Sequence, residues 1–181
     1  MRIGVFVGSF NPPHNGHYNV AKYLIDEDIV DKVLLLPTPN YWDKNNLVNV
    51  EDRVNMLKFY EDKNIIVDST HNQFPYTYQV LRSLKKDYSN DQLYLVIGSD
   101  QLEKFHLWKN IDEILKNKVI VLRRGNEDIY KYIEQLGKDN FIVIDDFPFI
   151  DISSTTIRNN LDNKYIDKRV LDYIKKHNLY S

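Results

Sequence analysis

The chain contains no cysteine. That absence excludes disulfides, thiolate catalysis and cysteine-bound zinc together. Long hydrophobic runs are missing too. Stretches such as Val33–Leu36 are far too short to span a bilayer, and no extended apolar region follows Arg2. Neither a membrane span nor an export signal is expected, and a cytoplasmic location is the default. The chain also lacks a strong charge of one sign. Lys and Arg number 24 against 26 Asp and Glu, a formal net charge of -2 with the signs interspersed. This argues against a nucleic-acid or membrane partner and leaves phosphate binding to local cations and backbone dipoles. Internal repeats and low-complexity tracts are absent. Gly4 and Gly8 stand too far apart for GxGxxG, and no GxxxxGK[ST] loop occurs. A plain hydride-transfer Rossmann domain and a P-loop kinase are thereby excluded.

What is there reads as one globular unit over residues 1–181. Hydrophobic residues make up 43% and charged residues 28%, enough to bury a core without staples. Six short runs rich in Val, Ile and Leu are predicted as strands: Arg2–Val7, Lys32–Leu36, Ile65–Asp68, Gln92–Ile97, Lys118–Leu122 and Phe141–Ile144. They are apolar in sequence rather than alternating, as strands covered on both faces are. Between them the periodicity predicts helices over Gly16–Asp26, Val50–Tyr60, Tyr76–Asp87, Asn110–Lys116 and Glu127–Leu136. Two more follow, Ser154–Leu161 and Asp167–Lys176. Strands alternating with helices imply a doubly wound parallel α/β sheet with right-handed crossovers. Residues 151–181 form a small C-terminal helical segment, expected over the sheet edge. The segment Pro37–Asn49, with its prolines and asparagines, is the longest irregular stretch.

Three segments after predicted strands carry chemistry, and ligands in open α/β sheets sit beyond the carboxyl ends of strands. The first is Gly8-Ser9-Phe10-Asn11-Pro12-Pro13-His14-Asn15-Gly16-His17. A glycine turn feeding a helix start offers free N–H groups, and two imidazoles there can donate to a polyphosphate. A turn histidine taken alone is more often structural, but this setting favours phosphate. A metal site is not favoured, because no nearby acid completes it. His71, His106 and His177 lack such a setting and read as surface residues. The second segment is Gly98-Ser99-Asp100, where Asp100 is an N-cap or a ribose acceptor, or both. The third is Ile152-Ser153-Ser154-Thr155-Thr156-Ile157-Arg158, a capped helix start with an arginine one turn on. Paired with the first segment, it reads as an anion site. Trp108 is a core residue or a stacking face. Trp42 and Lys44 lie in the irregular loop.

These residues together resemble the nicotinate/nicotinamide mononucleotide adenylyltransferases of the nucleotidyltransferase superfamily. The family's GxFxPxHxGH motif is matched by Gly8–His17 and its ISSTxxR motif by Ile152–Arg158. Both motifs are shared in broad form with pantetheine-phosphate and cytidylyl transferases. Further likeness covers nearly the whole chain: Phe74-Pro75-Tyr76-Thr77, Ile97-Gly98-Ser99-Asp100, Leu107-Trp108, Val121-Leu122-Arg123-Arg124-Gly125 and Tyr173 to Tyr180. One departure is the loop after the second strand. It reads Tyr41-Trp42-Asp43-Lys44-Asn45-Asn46-Leu47, where many bacterial nicotinate enzymes have Pro-Pro-His-Lys. It leaves the acid-versus-amide preference open.

The resemblance implies a Rossmann-like nucleotidyltransferase fold. It implies a reaction in which ATP and a pyridine mononucleotide give the adenine dinucleotide and pyrophosphate, in NAD biosynthesis. His14, His17, Lys44 and Arg158 would be the catalytic set. ATP would be held by Gly8, Ser9, Phe10, His17, Gly98, Asp100, Ile152, Ser153, Ser154, Thr155 and Arg158. The mononucleotide would meet Phe74, Tyr76, Thr77, Leu107, Trp108 and Arg123. Mg²⁺ would accompany ATP, bound mainly through phosphate oxygens, with no protein ligand set. The competing readings are transfer to another phosphate such as phosphopantetheine, or a nucleotide sensor without turnover. Homo-oligomerisation is left open.

Overall fold

The computed structural model describes residues 1–39, 47–148, 152–161 and 164–181. Six parallel strands form one sheet. They are β1 (Arg2–Gly8), β2 (Lys32–Pro37), β3 (Ile65–Val67), β4 (Gln92–Gly98), β5 (Lys118–Leu122) and β6 (Phe141–Ile144), in the order β3-β2-β1-β4-β5-β6. The order reverses between β1 and β4, so the switch point lies between those two strands. Their ladder runs only from Arg2↔Gln92 to Val5↔Leu95. Beyond it, β1 continues beside β2 to Gly8↔Pro37, and β4 beside β5 to Gly98↔Leu122. The sheet therefore forks at its carboxyl edge, with a glycine at each tip.

The strand runs are apolar throughout because alternate residues feed different cores. Ile3, Val5, Leu34, Leu36, Leu95 and Ile97 face one cluster with Val80, Leu81 and Leu84 of α3 (Thr77–Asp87). Val33, Leu35, Val96 and Ile120 face the other, with Val20, Ala21 and Leu24 of α1 (Asn15–Asp26) and Val54 and Leu57 of α2 (Val50–Leu57). The predicted second helix stops at Leu57, and Lys58–Tyr60 tighten into a 3₁₀ turn. Between β4 and β5 runs a 3₁₀ stretch, Ser99–Leu107, where the sequence periodicity predicts no element. Leu102 and Phe105, three apart and both 0% exposed, anchor it, as the period of a 3₁₀ helix requires. Helix α4 is only Ile111–Ile114, begun by Asn110 in the left-handed region (φ 53). Helix α5 (Tyr130–Leu136) starts later than expected, with Asp128 accepting from the Tyr130 N–H.

The segment after β6 corrects the expectation of a cover for the sheet edge. Val170, Leu171 and Ile174 of α7 (Lys168–Lys176) and Ile157 of α6 (Ser154–Asn159) form a third cluster with Met56 and Tyr60. The buried members of that cluster include no strand residue. The segment packs on α2 and its 3₁₀ extension, which places α6 against the loop after β1.

Candidate functional site

The loop between β1 and α1 is held from several sides. Phe10 sits in the left-handed region (φ 49), buried beneath the loop, with its ring 4.8 Å edge-on to His17 and 5.4 Å from Phe6. Arg53, 0% exposed, donates to the carbonyls of Ser9 (2.9 Å) and Val48 (2.7 Å). Burial lowers its pKa to about 10, so it stays a cation at neutral pH. Ser154 donates its hydroxyl to the Pro12 carbonyl (2.8 Å), and Arg158 donates to the Asn11 carbonyl (2.6 Å) and to Thr155 Oγ1 (3.1 Å). The two motifs thus meet, across 142 and 147 positions of sequence.

The histidines cap α1 with each other. His14 Nδ1 accepts from the Gly16 N–H (3.0 Å), and His17 Nδ1 accepts from the His14 N–H (3.0 Å). An Nδ1 that accepts a backbone N–H carries no proton, so each neutral ring bears its proton on Nε2. The rings stack at 3.8 Å. Burial first, then the nearby Arg124 guanidinium, lowers the His14 pKa to about 4. Burial, the stacked His14 and Arg124 hold His17 well below the usual histidine range. Among the described residues neither Nε2 has a protein partner, and neither is sealed from solvent. The outcome is two uncharged N–H donors side by side at a helix start. A side chain at Gly16 is excluded, because its Cβ would lie 2.7 Å from the His14 ring.

The other ATP-side candidates surround this pair. Ile152 packs in the third core, 3.1 Å from where a Gly16 Cβ would stand. Ser153 caps α6 by accepting from the Thr156 N–H (3.1 Å). Gly98 donates its N–H to Gln101 Oε1 (3.1 Å). Asp100 lies within the 3₁₀ stretch, not at its cap, and its carboxylate folds over Gly98. Ser99, buried at the tip of β4, accepts from the Arg124 N–H (2.8 Å). Lys44 and Trp42 lie outside the described residues.

On the mononucleotide side, Phe74, Tyr76 and Thr77 line a cleft of about 60 Å³ with Val7, Leu36 and Asn72. Lys109 stands 4.6 Å over the Tyr76 ring, which draws the 107–109 turn to the start of α3. Trp108 is half-buried, edge-to-face with Phe105 at 4.8 Å, and Leu107 is exposed. Arg123 is not brought to this group. Its guanidinium bonds Asp145 (2.7 Å) and the Glu127 carbonyl (3.0 Å). Its neighbour Arg124 faces the imidazoles and Gly98 instead. Sequence reasoning missed Arg124 because the two successive arginines just past β5 point to opposite faces, and only the register decides which is which. It also missed Arg53 and Asn11, whose contacts span 44 and 37 positions.

His71 is not a surface residue. It is 7% exposed, with Nδ1 2.8 Å from Asp68 Oδ2 and Nε2 2.6 Å from Asp87 Oδ2. Two carboxylates on one ring require two donors, which is the imidazolium. Burial pushes its pKa down, but the bonds to Asp87 and Asp68 outweigh that and the net shift is upward.

A forked parallel sheet with paired imidazoles at its switch point defines a nucleotide-binding α/β protein. The chain belongs to the cytidylyltransferase-like family, whose model matches residues 5–160. It is 32% identical to a protein of Lactiplantibacillus plantarum named a probable nicotinate-nucleotide adenylyltransferase, over 99% of this chain and 88% of that protein. It is 35% identical to one of the same name from Borrelia hermsii, over 99% of this chain and 98% of the relative. Its fold matches the nicotinic acid mononucleotide adenylyltransferase of Plasmodium falciparum complexed with NaAD, at a TM-score of 0.82 and 22% identity. That match covers 99% of this chain and 97% of the other.

Proposed function

We propose that this chain is an adenylyltransferase that joins ATP and nicotinate mononucleotide to give the adenine dinucleotide and pyrophosphate, in NAD biosynthesis. The observation that carries this reading is the meeting of the two motifs. Arg158 and Ser154 grip the backbone of the loop that presents the Nε2–H groups of His14 and His17. The two named relatives, aligned over almost the whole chain, support the choice of substrates.

In this reaction an oxygen of the mononucleotide phosphate attacks the α-phosphorus of ATP in line. A new P–O bond forms, the bond to the bridging oxygen breaks, and pyrophosphate leaves with the electron pair. The attacking phosphate is already largely dianionic near neutral pH, so no strong base is needed. Catalysis is positioning plus neutralisation of charge. His17 donates to the α-phosphate, with His14 beside it on the same side. Both are neutral before ATP binds, so the empty site pays little electrostatic repulsion against its arginines. Arg158 and the first turn of α6 hold the departing phosphates, and Arg124 supplies a further cation. Trp108 stacks the pyridine ring, beside Phe74, Tyr76, Thr77 and Leu107, while Gly98 and Asp100 meet the adenosine ribose. Residues 1–181 act as one unit, in the cytoplasm. No helix among the described residues is long and apolar enough to cross a membrane.

A divalent cation fits this site as a companion of ATP. Among the described residues no three His, Asp or Glu side chains converge as a cage, and the donor set is one of N–H groups and hydroxyls that suits phosphate oxygens. Mg²⁺ held by those oxygens and by water would neutralise charge on the leaving pyrophosphate. The test is release of pyrophosphate from ATP and Mg²⁺ with nicotinate mononucleotide, nicotinamide mononucleotide or phosphopantetheine as acceptor. Turnover with the first is expected. Turnover with phosphopantetheine alone, or with no acceptor, overturns the reading.

A further inference from the structure

Asn11 joins three distant parts of the chain to the histidine loop. It is 5% exposed. Its side-chain oxygen accepts from the Val48 N–H (3.2 Å) and from the Tyr180 hydroxyl (2.6 Å), while its backbone carbonyl accepts from Arg158 (2.6 Å). Two donors on one side-chain oxygen fix the orientation of the amide. Three residues further on, the His14 N–H donates to His17 Nδ1. The intervening Pro12 and Pro13 have fixed φ and transmit a displacement of Asn11 rather than absorb it.

Tyr180 lies 169 positions from Asn11. It is part-buried and shares a cavity of about 390 Å³ with Val48, Thr155 and Arg158. Burial holds its hydroxyl above the usual tyrosine range, with Arg158 and Arg53 opposing, so the group stays a donor at any working pH. Its backbone occupies the left-handed region (φ 62), which a residue with a Cβ adopts only when its surroundings hold it there. The short bond to Asn11 is such a hold.

We propose that Tyr180 is a positioning residue for adenylyl transfer: its O–H, acting through Asn11, sets the Asn11–His14 turn and thereby aims the two imidazoles at the polyphosphate. The inference rests on the adenylyltransferase reading. It predicts an effect on the ATP side, because the mononucleotide candidates Phe74–Thr77 and Trp108 attach to α3 and the 3₁₀ stretch rather than to the loop after β1.

The test is Tyr180→Phe in the full chain, a change that removes one oxygen and keeps the ring. Loss of one net hydrogen bond predicts a drop of about five- to tenfold in kcat/KM for ATP. The KM for nicotinate mononucleotide should stay unchanged, and the thermal midpoint should stay within about 3 °C of the wild type. In an Asn11→Ala background Tyr180→Phe should cost nothing more, since the two act as one unit. Binding of a non-hydrolysable ATP analogue, measured by calorimetry, should weaken in parallel. An unchanged kcat/KM for ATP, a raised KM for nicotinate mononucleotide, or additive losses in the double variant overturns the inference. A wild-type chain that binds the analogue but releases no pyrophosphate overturns the proposed reaction instead, and the calorimetric series then decides the Tyr180 link by itself.

Discussion

His14 and His17 on one side of the sheet, and His71 on the other, show the same side chain brought to opposite charge states. Both settings are mostly buried, so burial alone does not separate them. The difference is what each ring is asked to bond. Backbone N–H groups face Nδ1 of His14 and His17, which forces that nitrogen to accept and keeps the ring neutral. Carboxylates face both nitrogens of His71, which forces both to donate. Partner type therefore sets protonation, and protonation sets role. The neutral pair is left with outward donors suited to an incoming anion, and the charged ring is spent on the fold.

The sharpest break of this contrast is His17→Ala. It removes one of the two Nε2–H groups and should lower kcat by about 10²- to 10³-fold, the range for one oxyanion-type donor, with a much smaller change in KM. Pyrophosphate release by the variant, confirmed as folded by circular dichroism, measures it. An unchanged kcat would leave the pair as a cap and nothing more.

Next in size is acid stability. The folded pKa of His14, about 4, lies below its unfolded value near 6.5. The unfolded chain therefore binds the extra proton first, and stability is full above about pH 6.5 and falls as pH drops toward 4. The loss from His14 alone should approach about 3 kcal/mol, read from urea midpoints of the ligand-free protein across that window. His14→Asn keeps an acceptor for the Gly16 N–H and should flatten the slope.

The charged histidine should respond the other way. Asp68 accepts from the Thr70 N–H (2.8 Å), the His71 N–H (2.7 Å) and the His71 ring, and it is 9% exposed. Asp68→Ala should cost about 2–4 kcal/mol by denaturant unfolding at pH 6, because it strands buried donors and a buried cation. Asp87 is 65% exposed, so solvent screens its share. Asp87→Asn should cost less than about 1 kcal/mol. Because the folded pKa of His71 is raised, that cost is present below the unfolded value and vanishes as pH rises through the folded one. A cost that grew with pH would reverse the assignment.

The strands were legible because burial on both faces writes itself as uninterrupted Val, Ile and Leu, and all six runs match strands to within a residue at each end. The loop after β1 stood out in the sequence because glycine, proline and histidine sit at fixed spacing in a short contiguous stretch. What escaped was whatever depends on contacts between distant positions. His71 looks like any polar loop residue until Asp87, sixteen positions away, is folded against it. Arg53 sits on the amphipathic pattern of α2 as a charge between apolar residues, yet it turns inward because the carbonyls of Ser9 and Val48 await it there. The packing of the segment after β6 was misplaced for a related reason: its apolar face is plain in Val170, Leu171 and Ile174, but nothing local says that Met56 and Tyr60 are its complement.

The fork between β1 and β4 has one more consequence. Past Val5 and Leu95 the two strands no longer pair with one another, so a nucleotide bound in the gap, as proposed here, would be read by main-chain atoms near Gly8 and Gly98. Main-chain atoms do not change when a codon does. At Gly98 alanine would set its methyl 2.5 Å from an Asp100 oxygen and 3.1 Å from the Arg124 side chain, so both side chains would have to move aside. A competitive inhibitor designed to rest on these two tips would therefore leave the protein few single substitutions by which to escape it.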